Sequence, residues 1–243
     1  MYRFLSPGTA MADPLSILER RLLGVLVEKA LTAASPEPLT LNAIVIGANQ
    51  KSNRDPISNL EEPEIDDGLE RLQRKALVFR VTGGRTERWR HNLYDAWQVS
   101  KAELAILAEL LLRGPQTAAE ARTRASRMEP IDSEEMTGLI KGLVERGYVV
   151  WLTPEGRRGA ILTHGFHSPE ELNRSTAQAA HRLASDDAQA PSITSHRPVA
   201  DVSATVERRL NENAEQIVAL HEEVRQLRKA VEELQQSLGV VPG

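Results

Sequence analysis

The chain has no cysteine, and that absence removes disulfide bridges, thiolate metal sites and cysteine nucleophiles together. Aromatic residues are scarce, 4% against 26% charged, so any core must be assembled from Leu, Ile, Val and Ala, a composition suited to small helical units. No apolar run approaches the roughly 18 residues of a membrane span. The opening MYRFLSPGTAMADP lacks the continuous apolar stretch of a secretory signal. A cytoplasmic protein with no membrane partner is therefore expected. Positive charge is not in excess either: the formal net charge is −4, so a basic site can arise only from local segregation of charge. Catalytic patterns are missing as well, with no Gly-rich phosphate loop, no HExxH and no nucleophile elbow. His164 and His167 stand three apart beside Gly165, and without further ligands they read as incidental. The expectation is a protein that is not an enzyme and carries no metal or cofactor.

What is present is a repeat. Small polar residues followed three positions later by Glu mark helix starts through reciprocal capping. Ser16 with Glu19, Asn59 with Glu62, Ser100 with Glu103, Thr117 with Glu120 and Asp132 with Glu135 all fit. In the first copy, apolar spacing predicts a helix over 16–33, a second from Thr40 and a third from Asn59. Two short strands follow in LVFRVTGGRTERWRHNLY, joined at Gly83 and Gly84. The second copy repeats the order: SKAELAILAELLLRGP, TAAEARTRAS and DSEEMTGLIKGLVERG as helices, then YVVWLTPEGRRGAILTHG as strand, turn and strand. Three helices and a hairpin are the winged-helix form of helix-turn-helix. Matching Ser16 to Ser100, Thr40 to Thr117, and Leu72, Leu77 and Val78 to Leu143, Tyr148 and Val149 places extra residues in the first copy between its second and third helices. They are the polar stretch NQKSNRDP, residues 49–56.

The phrases LTLNAIVIGANQKSNRDPISNLEEPEIDDGLERLQRKALV and LLRGPQTAAEARTRASRMEP make the chain resemble the YceH-like family of uncharacterised bacterial proteins, over roughly residues 14–165 and the C-terminal helix. The resemblance implies a tandem winged-helix fold and an expected DNA-binding role.

Charge is segregated along the first copy. Arg71, Arg74, Lys75, Arg80, Arg85, Arg88 and Arg90 stand against Glu87 alone, whereas the third helix begins with Glu61, Glu62, Glu64, Asp66, Asp67 and Glu70. In most helix-turn-helix proteins that helix enters the major groove, where such carboxylates would be repelled. If duplex DNA is the partner, the expected contacts are therefore Asn49, Gln50, Lys51, Asn53 and Arg54 in the polar loop, and Arg85, Arg88 and Arg90 on the wing. Two alternatives stand beside this one. The loop residues are also turn formers with an intramolecular use, and the whole chain also reads as a protein-interaction adaptor.

Beyond residue 201, β-branched residues at Ile217, Val224 and Val231 alternate with Leu220, Leu227 and Leu234 in the heptad spacing of a parallel two-stranded coiled coil. A homodimer through this helix is expected, against the alternative of one amphipathic helix folded back on its own chain. The predicted architecture is mainly α with small β-hairpins (α+β). It comprises a disordered 1–14, winged helices at 15–98 and 99–166, a flexible linker at 167–201 and a coiled-coil helix at 202–239.

Overall fold

The structure, a computed structural model, describes residues 12–33, 38–82 and 86–189. The expected coiled coil, with its seam residues Ile217, Leu220, Val224, Leu227, Val231 and Leu234, lies outside the described residues, as does Arg85. So do residues 1–11 of the expected disordered start, whereas Ala12 packs against the core.

The described chain is α+β, with eight helices and two three-stranded antiparallel sheets. The first copy runs α1 (Ile17–Thr32), β1 (Leu39–Thr40), α2 (Leu41–Ala48), α3 (Glu62–Arg74), β2 (Val78–Val81), β3 (Arg88–His91) and α4 (Leu93–Trp97). The second runs α5 (Lys101–Arg113), β4 (Gln116–Thr117), α6 (Ala118–Ala125), α7 (Ser133–Glu145), β5 (Val149–Trp151) and β6 (Ile161–His164), followed by α8 (Pro169–Gln189). Strand order is β1-β3-β2 in one sheet and β4-β6-β5 in the other. The two-residue strands β1 and β4 are too short to show a periodicity and were not expected.

The repeat extends to individual bonds. Ser16 and Ser100 close reciprocal capping boxes with Glu19 and Glu103, and Thr40 and Thr117 cap α2 and α6. The Leu77 N–H donates to the Leu72 carbonyl as the Tyr148 N–H does to Leu143. His91 opposite Val78 is matched by His164 opposite Val149. One expected cap is corrected. Asn59 does not begin α3; Glu61 does, its N–H donating to the Glu64 carboxylate at 2.8 Å. The reason is that Leu60 is held in the preceding loop by Asn49, and Pro63 suits the first helical turn.

The equivalent helices α1 and α5 pack on each other at the centre. Both are buried continuously, over 19–28 and 104–112, so they are enclosed on every side, and the charged residues within those runs, Glu19, Arg20, Arg21, Glu28 and Glu109, are buried with the apolar ones. Gly24 allows the contact, since a Cβ there would lie 2.6 Å from Leu112 Cγ. One core cluster runs from Leu15 through both copies to Phe166, so the expected boundary at 98/99 does not separate two cores. The expected linker is also corrected: its first part is α8. Ser168 and Glu171 exchange backbone-to-side-chain bonds at its start, and Leu172 and Ala179 pack with Leu152 and Ile161. The wide spacing of those apolar residues concealed the helix.

Candidate nucleic-acid interface

Residues 49–61 connect α2 to α3, and the side chains of Asn49, Gln50, Asn53 and Arg54 are turned to partners within the protein. The Arg54 side chain is fully enclosed, 0% exposed, and its Nη2 meets Glu28 Oε2 of α1 at 2.5 Å. Its Nε donates to the Gly47 carbonyl at 2.9 Å, and Nη1 and Nη2 reach the Asn53 carbonyl and Gln50 Oε1 at 2.8 and 3.1 Å. Asn49 clasps Leu60 from both sides, donating to its carbonyl at 2.8 Å and accepting from its N–H at 2.7 Å. Asn53 adopts a left-handed φ of 60° and accepts a hydrogen bond from Arg113 on α5. Such bonds supply the partners that enclosed polar groups require. Lys51 alone among the five expected loop contacts is exposed.

The same loop reaches the second copy. The Asp55 N–H donates to the Leu112 carbonyl at 3.0 Å. Arg21 of α1 binds the carbonyls of Ala48 and Pro56 at 3.3 and 2.5 Å. Arg113 in turn meets Glu109, which also faces Arg127 at 3.7 Å. Burial raises the pKa of Glu109 against the pull of these arginines. The expectation that Arg54 contacts phosphate is therefore corrected: a guanidinium enclosed against Glu28 has no face left for an external anion. Asn49, Gln50 and Asn53 are likewise committed to the loop and to α5.

The first hairpin, β2 and β3, is arranged differently. Trp89 is buried beneath the sheet, with the Arg80 guanidinium 4.8 Å from its ring centre. Arg80 is held by Glu70 and Glu87 at 3.4 and 3.2 Å. The pleat places Arg88 and Arg90 on the opposite face, together with half-exposed Phe79, which pairs with Arg90 across the strands. Arg90 is exposed, 5.6 Å from the Phe79 ring centre, and Arg88 donates to the Pro38 carbonyl at 3.3 Å. On α3, Glu62, Glu64, Asp67 and Glu70 are exposed, so the acidic face read from the sequence is a solvent face.

A second cluster was missed. Arg20 forms a two-pronged bond to Glu171 of α8 at 2.8 and 3.0 Å, and its Nη1 lies 3.2 Å from His167 Nδ1. His167 Nε2 stands 3.1 Å from Thr163 Oγ1, and its ring stacks on His164 with centres 4.0 Å apart. Hydrogen bonds from Arg20 hold the Glu171 carboxyl down to about 2. Burial and the Arg20 cation lower His167 to about 4. The spacing of His164 and His167 was visible in the sequence, but Arg20, nearly 150 positions earlier, carries no local sign of joining them.

A family model described as "Protein of unknown function, DUF480" matches residues 15–157. A UPF0502 protein of Azotobacter vinelandii is 38% identical over 74% of this chain and 82% of its own length. One from Rhodopirellula baltica is 41% identical over 67% and 69%, and one from Pseudomonas syringae pv. tomato is 33% identical over 91% and 96%. With most of both chains aligned and the family model covering the first copy of the repeat and the second as far as residue 157, this chain belongs to the DUF480 family of UPF0502 proteins.

Proposed function

We propose that this protein is a non-enzymatic, tandem winged-helix DNA-binding protein that touches the duplex backbone through the outer face of its first wing. The observation that carries the reading is the placement of Arg88 and Arg90 on one outward face of β3, with Trp89 anchoring the strand from beneath. The element order of each copy, with a third short strand beside the hairpin, supports the winged-helix assignment. Lys51 adds an exposed cation at the tip of the loop. The acidic surface of α3 disfavours deep base reading, so contacts to phosphate dominate and sequence preference is weak. Pairing through Ile217, Leu220, Val224, Leu227, Val231 and Leu234 doubles these contacts and raises avidity.

The test is fluorescence anisotropy of full-length protein on random duplex DNA across a salt series. Binding is expected to fall linearly with log salt, and Arg88→Ala/Arg90→Ala to flatten the slope by about 2 if each cation neutralises one phosphate. An unchanged slope would remove the wing from the interface. A second reading, a protein-interaction adaptor, is favoured by the exposed carboxylates of α3. Absence of duplex binding at low salt together with capture of a basic protein, lost on reversing charges at Glu62 and Asp67, would establish that reading instead.

A further inference from the structure

We propose that the cleft enclosed by α1, Asp55 and Pro56, the end of α5, β6 and α8 binds a compact, multiply charged oxyanion of the phosphate class. A cavity of about 300 Å³ lies there, at the lower end of the range for small-ligand pockets. A second cavity, of about 440 Å³, shares Asp55, Arg113, Pro115, Ile161 and Arg182 with it, so the two form one cleft. The first is lined by Arg20, Arg21, Arg113 and Arg182 against a single carboxylate, Asp55.

The cations differ in how they are balanced. Arg20 is neutralised by Glu171 and Arg113 by Glu109. Arg21 is 4% exposed, and its hydrogen bonds go to two neutral carbonyls. Asp55 is the carboxylate that acts on it across the cleft, and a buried cation hydrogen-bonded only to neutral acceptors gains from a further anion. Burial and the neighbouring Arg54 cation depress the Arg21 pKa against the opposing pull of Asp55. Arg182 lines both cavities from α8 and is exposed to solvent, where it also acts on Glu120, the carboxylate that the second cavity adds. Guanidinium forks match phosphate oxygens two at a time, while Ser175 and Gln178 of the lining offer further donors. An anion here joins α1 of the first copy, α5 of the second, and α8. The site is independent of the wing, and its test involves no DNA.

The experiment is a calorimetric titration of full-length protein with inorganic phosphate, with ionic strength held constant by chloride so that screening does not change. A parallel series follows the thermal midpoint. Saturable binding and a rising midpoint are expected. Arg182→Ala should weaken binding roughly tenfold, as loss of a charged hydrogen bond does, without altering the phosphate-free midpoint. Arg182→Lys, which keeps charge but loses the fork, should fall between, and Arg174→Ala, outside the lining, should match wild type. No saturable heat, equal affinity in wild type and Arg182→Ala, or tighter binding of malonate than of phosphate would each overturn the proposal.

Discussion

The first copy joins its second and third helices through residues 49–61, whereas the second copy does so through 126–132. The helices on either side correspond in order and in the Thr40 and Thr117 caps, so the difference points to what the added residues do. In the short turn, the Ser126 hydroxyl meets the Ile131 carbonyl at 3.4 Å and the chain passes directly to the Asp132 cap. The long turn carries an enclosed Arg54, an Asn49 clasp on Leu60 and a backbone bond from Asp55 to α5. It fastens one copy of the repeat to the other. A polar stretch between apolar helices is thus not evidence of a ligand: its amides and guanidinium can be consumed by the backbone groups that a longer connection must satisfy.

Breaking that fastening should give the largest effect. Arg54→Ala leaves Glu28 enclosed without its counterion and is expected to cost about 3–5 kcal/mol in urea unfolding. Replacing both members, as Glu28→Met/Arg54→Met, should cost distinctly less, since an apolar pair strands no charge. Equal losses in the two variants would show that Arg54 acts by packing alone.

Next comes a contrast at the strand ends. Gly165 and Asn92 occupy matching positions, their N–H groups bonded to Tyr148 and Leu77. A Cβ at Gly165 would lie 1.9 Å from the Gly147 carbonyl oxygen, so Gly165→Ala is expected to destabilise by about 3 kcal/mol. Asn92→Ala loses one bond to the Ala76 carbonyl and should cost about 1 kcal/mol. Thermal midpoints would order the two.

The matching histidines predict a shared acid response. Burial, with Arg90 nearby, lowers His91 to about 4, and burial, with His167 and Arg20 nearby, takes His164 well below its ordinary 6.5. Groups kept neutral in the folded state bind fewer protons there than when unfolded. Stability is therefore full above pH 6.5 and is lost as pH falls toward 4. The loss continues from about 4.5 to about 2 as Glu171 is protonated. Urea midpoints between pH 7.5 and 4 should show the decline, shallower in His167→Gln. A flat profile would mean that these rings titrate freely.

The smallest effect is expected at Ala76, which holds a left-handed φ of 56° where the second copy has Gly147 at 72°. Ala76→Gly should add about 0.5–1 kcal/mol, the left-handed strain outweighing the glycine entropy. Gly147→Ala should remove a similar amount.

The repeat, the major helices and both hairpins were legible because caps and apolar spacing are local signals, read within a few positions of Ser16, Ser100, Thr40 and Thr117. The junction was not. Arg54 with Glu28, Arg113 with Asn53, and Arg20 with His167 and Glu171 are contacts between distant segments, and no period or spacing announces them. The first hairpin was half legible: alternation set Arg88 and Arg90 apart from Trp89, but which face would be buried depended on the Arg80 contact with Glu70 and Trp89. The α8 helix escaped because Ser168, Pro169 and Glu171 mark its start clearly while Leu172, Ala179 and Leu183 are too widely spaced to stand out in an Ala- and Gln-rich segment.

The most direct measurement sets loop against wing: salt-dependent anisotropy on duplex DNA for wild type, Glu28→Met/Arg54→Met and Arg88→Ala/Arg90→Ala, each checked for folding by urea unfolding. The expected result is a salt slope unchanged by the loop replacement and flattened by the wing replacement. A slope flattened by the loop pair and left intact by the wing pair, or no duplex binding by wild type at low salt, would contradict the account.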